Sequence, residues 1–461
     1  VDYLVRAAAH AAQGWAKGEA VGLYAEALEL IPPEDRDSRR DIALSQAMTL
    51  VELGDLTNGI PLLDSVLPEL EGRVRLEALL SRGRAAFWAM DAATVRRLSL
   101  EAFELAQELG EEELLGPALA LRSEAESMEG RMEPAFELGR RASEVWTPGT
   151  RRMDHAQFLD QVALDRYWTG EYAAAEQIAR EVLALAEEIK STDALLRTGG
   201  VYGVILTAQG RHEEALPVFE AAIARGRDLE FEPRWTARAL NMSSAPYRDL
   251  FDLDEARARN EEAAELGARA GFAIAEVQGG IDHIFADLIE GELGRADARW
   301  PELWERTQAA KGWHQWLMAG RLTEAKAEIA LARGDFEAAA TAADRAVRDS
   351  AEVSRRKYET AARLVLGRAL LGLGQRDRAV AELRAATDAA EGLFHPPTRW
   401  RAWSALSEAL LATGDDDGAA AAHTRASNLI REFAATLQPE RAERLLAAEP
   451  VRAILSADGS G

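Results

Sequence analysis

Hydrophobic positions along the chain follow a helical period that a glycine-containing turn interrupts about every 40 residues. In residues 208–215 and 373–379, a glycine and several polar residues separate two runs with helical periodicity. Other turns of this kind contain Gly54, Gly130, Gly170, Gly334 and Gly414. Glycine readily adopts the left-handed conformation that ends many helices, and a polar residue after it can cap the next helix. The pattern therefore predicts pairs of antiparallel helices.

A small residue follows each turn glycine by five positions and sets the register of the repeat. The positions are Ala20, Gly59, Ala135, Ala175, Ala215, Ala256, Ala296, Ala339, Ala379 and Ala419, with a weaker copy near Val95. A larger residue four positions further on and a small or apolar residue seven positions further on lie on the same helical face, so they can meet the preceding helix. We read Gly199, Gly200 and Gly203 in the same way, as sites of close helix packing.

No single pair can bury its apolar face, so the pairs must stack on one another. The sequence predicts an all-α fold, a right-handed superhelical solenoid of about eleven antiparallel helix pairs. We expect the repeat array to cover residues 1–426 and capping helices with a tail to cover 427–461. Pro439 suits the first turn of a capping helix.

These small positions and the large residue between them resemble the tetratricopeptide repeat (TPR) superfamily, in a long form of about 40 residues rather than 34. The long form is similar to the C-terminal helical repeat region of maltose-regulator-like bacterial transcription activators, ATPases and adenylate cyclases. The stretches that carry this similarity are residues 1–30, with Arg6-Ala7-Ala8 and residues 24–30, residues 355–358 through 398–402, and residues 450–455. The resemblance implies a nucleotide-binding ATPase module upstream in a larger parent chain.

Charge and composition limit the classes of partner. Residues 311–461 contain 21 basic and 21 acidic side chains, so the whole net charge of −24 belongs to residues 1–310. Such a surface repels phosphate backbones, and we expect no direct binding of nucleic acid. No apolar run is long enough to cross a membrane. The chain has no cysteine, and residues 1–30 lack the pattern of a signal peptide, so we expect a cytoplasmic location.

The sequence contains no arrangement typical of an enzyme. None of the five lysines follows a glycine, so the chain has no Walker-type phosphate loop. The seven histidines include no pair at metal-binding spacing, and we predict neither a metal nor a cofactor. An aspartate precedes a histidine at Asp282-His283, where it could orient the imidazole, although a structural histidine is the better interpretation. We therefore predict a non-enzymatic protein.

The TPR resemblance places candidate binding residues on the first helix of each pair, at thirteen, ten, six and three positions before the turn. In the central repeats this register selects Gln157, Asp160, Tyr167, Arg197, Arg238, Asn241, Arg248, Gln278, Phe285, Arg321 and Glu324. Such a mixture of polar and aromatic side chains suits a peptide or a sugar. We expect Asn241 and Arg248, which share a helical face, to face solvent in the ligand-free protein.

The favoured interpretation is the ligand-sensing or protein-docking region of a larger bacterial signalling ATPase or transcription regulator. It would bind a protein segment or a small-molecule effector, for example a sugar, in its groove. One alternative is a free-standing scaffold that binds a protein segment in the groove. Another is an enzyme with a groove active site, which no residue constellation supports.

Overall fold

The computed structural model describes residues 1–13, 16–228 and 233–456. Within these ranges the chain forms 24 α-helices and one short 3-10 helix, Leu67–Glu69, and contains no β-strand. The first twelve helices are α1 (Asp2–Gln13), α2 (Lys17–Leu30), α3 (Arg36–Glu52), α4 (Leu56–Val66), α5 (Gly72–Trp88), α6 (Ala92–Leu109), α7 (Glu112–Met128), α8 (Met132–Val145), α9 (Arg152–Trp168), α10 (Tyr172–Glu188), α11 (Thr192–Ala208) and α12 (His212–Asp228). The others are α13 (Pro233–Asp249), α14 (Leu253–Arg269), α15 (Ile274–Ile289), α16 (Leu293–Ala309), α17 (Trp313–Ala332), α18 (Phe336–Glu352), α19 (Arg356–Gly372), α20 (Arg376–Leu393), α21 (Pro396–Thr413), α22 (Asp416–Ala434), α23 (Pro439–Ala447) and α24 (Glu449–Ser456).

Helices α1 to α22 form eleven successive pairs, which confirms the predicted all-α repeat architecture within the described ranges. Consecutive helices pack together, as α7 does with α8 and α13 with α14. First helices also pack on the next first helix, as α11 does on α13 and α13 on α15. Helix α23 begins at Pro439, as predicted. The expected boundary between residues 426 and 427 lies inside α22.

The chain divides into two compact units. Unit 1 comprises residues 1–158 and 311–313, and unit 2 comprises residues 159–310 and 314–461. In unit 1, one apolar cluster joins α1, α2 and α3 around Ala20 and Tyr24, and another joins α3, α4 and α5 around Leu63. In unit 2, similar clusters join α17 to α20 and α19 to α22. Each unit therefore has its own core of neighbouring repeats.

The predicted turns and small positions have the expected geometry. Gly170 and Gly210 have φ values of 83° and 79°, a region that residues with a Cβ rarely adopt. Ala175 and Ala215, five residues later, are fully buried. A Cβ on Gly203 would lie 2.6 Å from the ring of Phe219, and one on Gly199 would lie 2.9 Å from the Cβ of Ala222. Close helix approach therefore requires small residues at these positions, as the sequence indicated.

The C-terminal helices of unit 2 make contacts that a purely sequential stack would lack. Arg441 on α23 forms an ion pair of 2.5 Å with Glu213 on α12. Arg444 forms another of 2.5 Å with Asp252, just before α14. Phe433 on α22 packs edge-on against His212, with ring centroids 4.9 Å apart. Helices α22 and α23 therefore lie against the turns that precede α12 and α14, far away in the sequence.

Replacing Gly203 with alanine should destabilise unit 2, because the new methyl group would overlap the buried Phe219 ring. We expect a loss of about 1–3 kcal/mol, partly offset by the better helix propensity of alanine. The matched control is Gly294→Ala on α16, where a Cβ would meet nothing within 4 Å. Thermal denaturation followed by circular dichroism should show a lower midpoint for Gly203→Ala and an unchanged or higher midpoint for Gly294→Ala. Equal midpoints would contradict the close packing of α11 against α12.

Candidate functional site

Polar side chains on successive first helices of unit 2 meet at intervals of about one repeat. Arg197 on α11 donates to Asp160 on α9 over 3.2 Å, and Thr198 donates to the same carboxylate over 2.8 Å. The side chains of Arg197 and Asp160 are 6% and 5% exposed. Asp160 precedes these partners by nearly one repeat. The three residues therefore lie at the same level along the axes of two adjacent first helices. The pair stabilises the stacking of α9 on α11 from inside the array.

An aromatic ring extends this polar row onto α13. The guanidinium of Arg197 lies 4.9 Å from the ring centroid of Trp235, and that of Arg238 lies 5.7 Å from it. Such contacts use the negative face of the indole ring. Burial lowers the pKa of Arg238 to about 10, although the charge of Asp160 opposes the shift. The guanidinium groups of Arg197 and Arg238 therefore both lie near the ring of Trp235.

Asp282 on α15 is the centre of a buried polar cluster in unit 2. Its carboxylate accepts hydrogen bonds from Ser244 over 3.0 Å and from Arg321 over 2.5 Å, and it pairs closely with Arg248. Asp282 is only 6% exposed. Burial alone would raise its pKa, but the two guanidinium groups outweigh burial and lower it. One carboxylate thus holds together α13, α15 and α17.

A second group of polar side chains continues from Arg321 towards α19. Arg321 lies 5.9 Å from the ring centroid of Phe285, and Arg355 lies 3.6 Å from that of Tyr358. Burial would raise the pKa of Tyr358, but Arg355 and Arg321 outweigh it and lower the pKa. Burial and the neighbouring Tyr358 raise the pKa of Tyr167 on α9. The charges of Arg321 and Arg355 therefore influence the ionisation of both tyrosines.

Glu324 on α17 is 9% exposed, and no described side chain forms an ion pair or hydrogen bond with it. Burial and the charge of Glu328 raise the pKa of Glu324 to about 7, against the influence of Arg321. Glu324 is therefore only partly ionised near neutral pH.

Ten of the eleven predicted site residues belong to unit 2, and Gln157 belongs to unit 1. In unit 2 the structure joins Asp160 to Arg197 and Arg248 to Arg321 through Asp282. Gln278 and Phe285 on α15 are half-buried. The first-helix register thus selected several side chains that are neighbours in the folded chain.

The expectation that Asn241 and Arg248 face solvent is wrong. Asn241 is 2% exposed and donates to Asn260 on α14 over 2.9 Å. The side chain of Arg248 is 22% exposed and is paired with Asp282. Both residues lie at the packing contact between α13 and its neighbours, because α13 packs on α11 and α15 as well as on α14. They stabilise the array and are poor probes of ligand binding.

Asp282, Arg355 and Tyr358 are central residues that the register missed. Asp282 lies on α15 among the apolar residues Ile281, Ile284 and Phe285, which is a signal for a buried charge that needs a partner. Arg355 begins a run of three basic residues at the start of α19, where the helix dipole disfavours positive charge. These two unusual charges were visible in the sequence, but their surroundings in the folded chain were not.

The histidine contacts also differ from the sequence interpretation. Asp282 pairs with arginines rather than with His283. His212 and His395 instead share Asp249, at 3.3 Å and 3.2 Å. Burial and Lys357 lower the pKa of His395 to about 4. Among the described residues no group of histidine, aspartate and glutamate is arranged to hold a metal ion. Nor does any helix in those ranges combine the length and apolarity that crossing a bilayer requires.

A separate cleft of about 670 Å³ lies between α16, α17 and α18. Trp300 and Trp304 stack there with ring centroids 5.2 Å apart, and Lys326 lies 4.7 Å from the centroid of Trp300. The indole nitrogen of Trp300 donates to the carbonyl of Leu322 over 2.7 Å. Trp300 therefore packs between α16 and α17. The ring faces are therefore already in contact with protein groups.

Among known proteins, only solved structures show a similarity to this chain. No protein-family model and no curated protein sequence matches the chain. One similar structure is a Rap protein complexed with competence and sporulation factor, at 17% identity and a TM-score of 0.47, with 87% of this chain and 99% of that chain covered. Another is yeast Tom70, at 13% identity and a TM-score of 0.38, with coverages of 99% and 96%. At this level of similarity, function has to be inferred from this chain's own side chains.

Replacing Asp282 with asparagine should strongly destabilise unit 2, because it leaves Arg248 and Arg321 without their shared anion. Breaking a buried ion pair in this way typically costs about 3–5 kcal/mol. Asp297→Asn removes a more exposed partner, that of Arg333, and should cost about 0–1 kcal/mol. Urea denaturation of both variants provides the comparison. A similar small loss for both would mean that the Asp282 cluster contributes little to stability.

Glu324 should make the stability of unit 2 fall as the pH rises. Its pKa is higher in the folded chain than in the unfolded chain, so its favourable contribution is complete below about pH 4.5 and is lost by about pH 7. We therefore expect Glu324→Gln to be more stable than the wild type at pH 8, by up to about 3 kcal/mol, and similar to it at pH 4.5. Glu302→Gln, an exposed change on α16, should show no such pH dependence. A stability difference that does not vary with pH would contradict the buried, unpaired state of Glu324.

Proposed function

We propose that this chain is a non-enzymatic recognition module that binds its ligand on the first helices of unit 2. The observation that carries the proposal is the concentration of half-buried polar and aromatic side chains there. Tyr167, Arg238, Gln278 and Phe285 come from three different first helices and keep part of their surface accessible. Together they offer ring faces, a guanidinium and an amide, which suits a peptide segment or a small polar effector such as a sugar.

The rigid setting of these groups supports binding. Below them, Asp160 and Asp282 connect neighbouring first helices through buried ion pairs and hydrogen bonds. A side chain held by packed neighbours loses little conformational entropy when a ligand arrives, so more of the contact energy appears as affinity. The buried row would thus act as a support, and the half-buried residues would make the contacts.

We further propose that the parent protein is a bacterial signalling ATPase or transcription regulator with an upstream nucleotide-binding module. The residues that support this proposal are those at 1–30, 355–358, 398–402 and 450–455, which carry the resemblance to such repeat regions. The full-length gene distinguishes this parent from a free-standing scaffold. An upstream Gly-Lys-Ser/Thr loop would support the sensor region, and its absence would favour the scaffold.

The binding face can be tested with peptides selected from a display library against the purified chain, together with a panel of oligosaccharides. Gln278 is a suitable probe, because it forms no hydrogen bond with any described residue. Gln278→Ala should weaken a selected ligand by about 0.5–1.5 kcal/mol, the contribution of one hydrogen bond, measured by isothermal titration calorimetry.

The control is Gln308→Ala on α16, the second helix of the same pair, where an exposed glutamine is replaced in the same way. It should leave affinity unchanged. Ligands that lose affinity with Gln308→Ala and not with Gln278→Ala would place binding on the second helices and contradict the proposal.

A further inference from the structure

Arg355 is a buried cation that forms no ion pair with any described residue. It is 1% exposed, and its side chain donates from Nη1 to the carbonyl of Leu317 over 3.2 Å. The charge of Glu324 acts on it without forming an ion pair. Its Nε is buried without a hydrogen-bond partner. Arg321, by contrast, is a buried arginine that pairs with Asp282 at 2.5 Å. Since burying an unpaired charge is costly, this difference needs a physical reason.

The surroundings of Arg355 hold the guanidinium in place without neutralising it. Tyr358 stacks on it at 3.6 Å, and Trp316 lies 5.7 Å away. A Cβ at position 320 would lie 2.9 Å from Nη1, so glycine at this position of α17 leaves the space that the guanidinium occupies. Packing therefore fixes the group and leaves its Nε edge without a bond to the protein.

A phenol group beside Arg355 is also unbonded. The hydroxyl group of Tyr358 forms no hydrogen bond with any described residue, and the side chain is half-buried. The ring of Tyr358 is in contact with the Arg355 guanidinium. A guanidinium edge and a hydroxyl donor that no described residue uses therefore lie next to each other.

We propose that Arg355 and Tyr358 form a binding site for a single carboxylate group of an organic ligand. The proposal rests on the proposed function and specifies the ligand chemistry of the same face. A carboxylate can accept two parallel hydrogen bonds from one edge of a guanidinium, and a remaining lone pair can accept from the hydroxyl group of Tyr358. One anionic charge balances the charge of Arg355, since Arg248 and Arg321 already share Asp282.

The neighbouring charges favour a small anion over a polyanion. Glu324 lies one turn after Gly320 on α17, the position that faces Arg355. It becomes anionic as the pH rises through about 7. A ligand with several phosphates would meet this carboxylate as well as a chain whose net charge is −24. The carboxylate could belong to a small organic acid or to the free C-terminus of a short peptide. Both present the same group to Arg355 and differ in the rest of the molecule.

The test measures binding of paired probes that differ only at the carboxylate. Benzoate is compared with benzamide, and acetylated dipeptides with a free C-terminus are compared with their C-terminal amides. Calorimetric titration of the full chain should show binding of one or both acids, and at least tenfold weaker binding of the matching amides. The benzoate and dipeptide arms then identify the source. Equal affinity of acid and amide, or binding of neither acid, would overturn the proposal.

Variants then assign the binding to these residues. Arg355→Met should reduce acid binding at least tenfold and leave the ligand-free Tm unchanged or higher, because it removes an unpaired buried charge. Tyr358→Phe deletes only a hydroxyl group without a partner, so it should weaken acid binding severalfold at constant Tm. Arg384→Met, an exposed change on α20, is the control. Unchanged acid binding in both Arg355→Met and Tyr358→Phe would overturn the proposal.

The outcome is separable from that of the proposed function. In one outcome, selected peptides depend on Gln278 for binding, yet bind equally well as acid and amide and equally well to Arg355→Met. This result would support binding on the first helices of unit 2 and would overturn the carboxylate site. Acid binding that depends on Arg355 would support the site even where oligosaccharides fail to bind.

Discussion

The close approach of consecutive helices at small residues is the constraint on which this structure depends. Alanine or glycine five positions after each turn lets the second helix settle against the first, and the buried positions at Ala175, Ala215 and Ala379 show how little space remains. Because no pair covers its own apolar face, each pair must rest on the next. Stacking of this kind brings the first helices of adjacent repeats side by side, and it thereby creates the surface on which polar groups meet.

Polar groups on that surface fall into two sets with different physical roles. Asp160 and Asp282 lie deep and are satisfied by donors from neighbouring first helices, so they link repeats to one another. Arg355, in contrast, has a buried Nε that no described acceptor uses, and the half-buried Tyr358 beside it has an unbonded hydroxyl group. Since buried polar groups in proteins are nearly always hydrogen-bonded, the buried Nε is the better indicator for our proposed ligand site. The contrast between paired and unpaired groups points to function more clearly than the residue types do.

Contacts between distant repeats give unit 2 a feature that a nearest-neighbour stack lacks. The ion pairs of Arg441 and Arg444, together with the packing of Phe433 on His212, connect α22 and α23 to the region of α12 to α14. Loss of the last helices would therefore remove contacts from central repeats as well as from the terminal one. In this unit stability is shared over longer distances than the repeat period suggests.

The sequence by itself determined the helical class, the period, the positions of the turns and the small residues at helix contacts. These properties are local, because a turn glycine and a helical face are defined within one repeat. Only the tertiary structure decided which polar residues meet, since this depends on how each helix is rotated and shifted against its neighbours. A fixed register therefore selected Asn241 and Arg248 as solvent-facing, whereas packing of α13 on both adjacent first helices buries Asn241 and pairs Arg248 with Asp282. The same dependence explains why Arg355 was visible in the sequence as an unusual charge, while its lack of a partner became evident only in the folded chain.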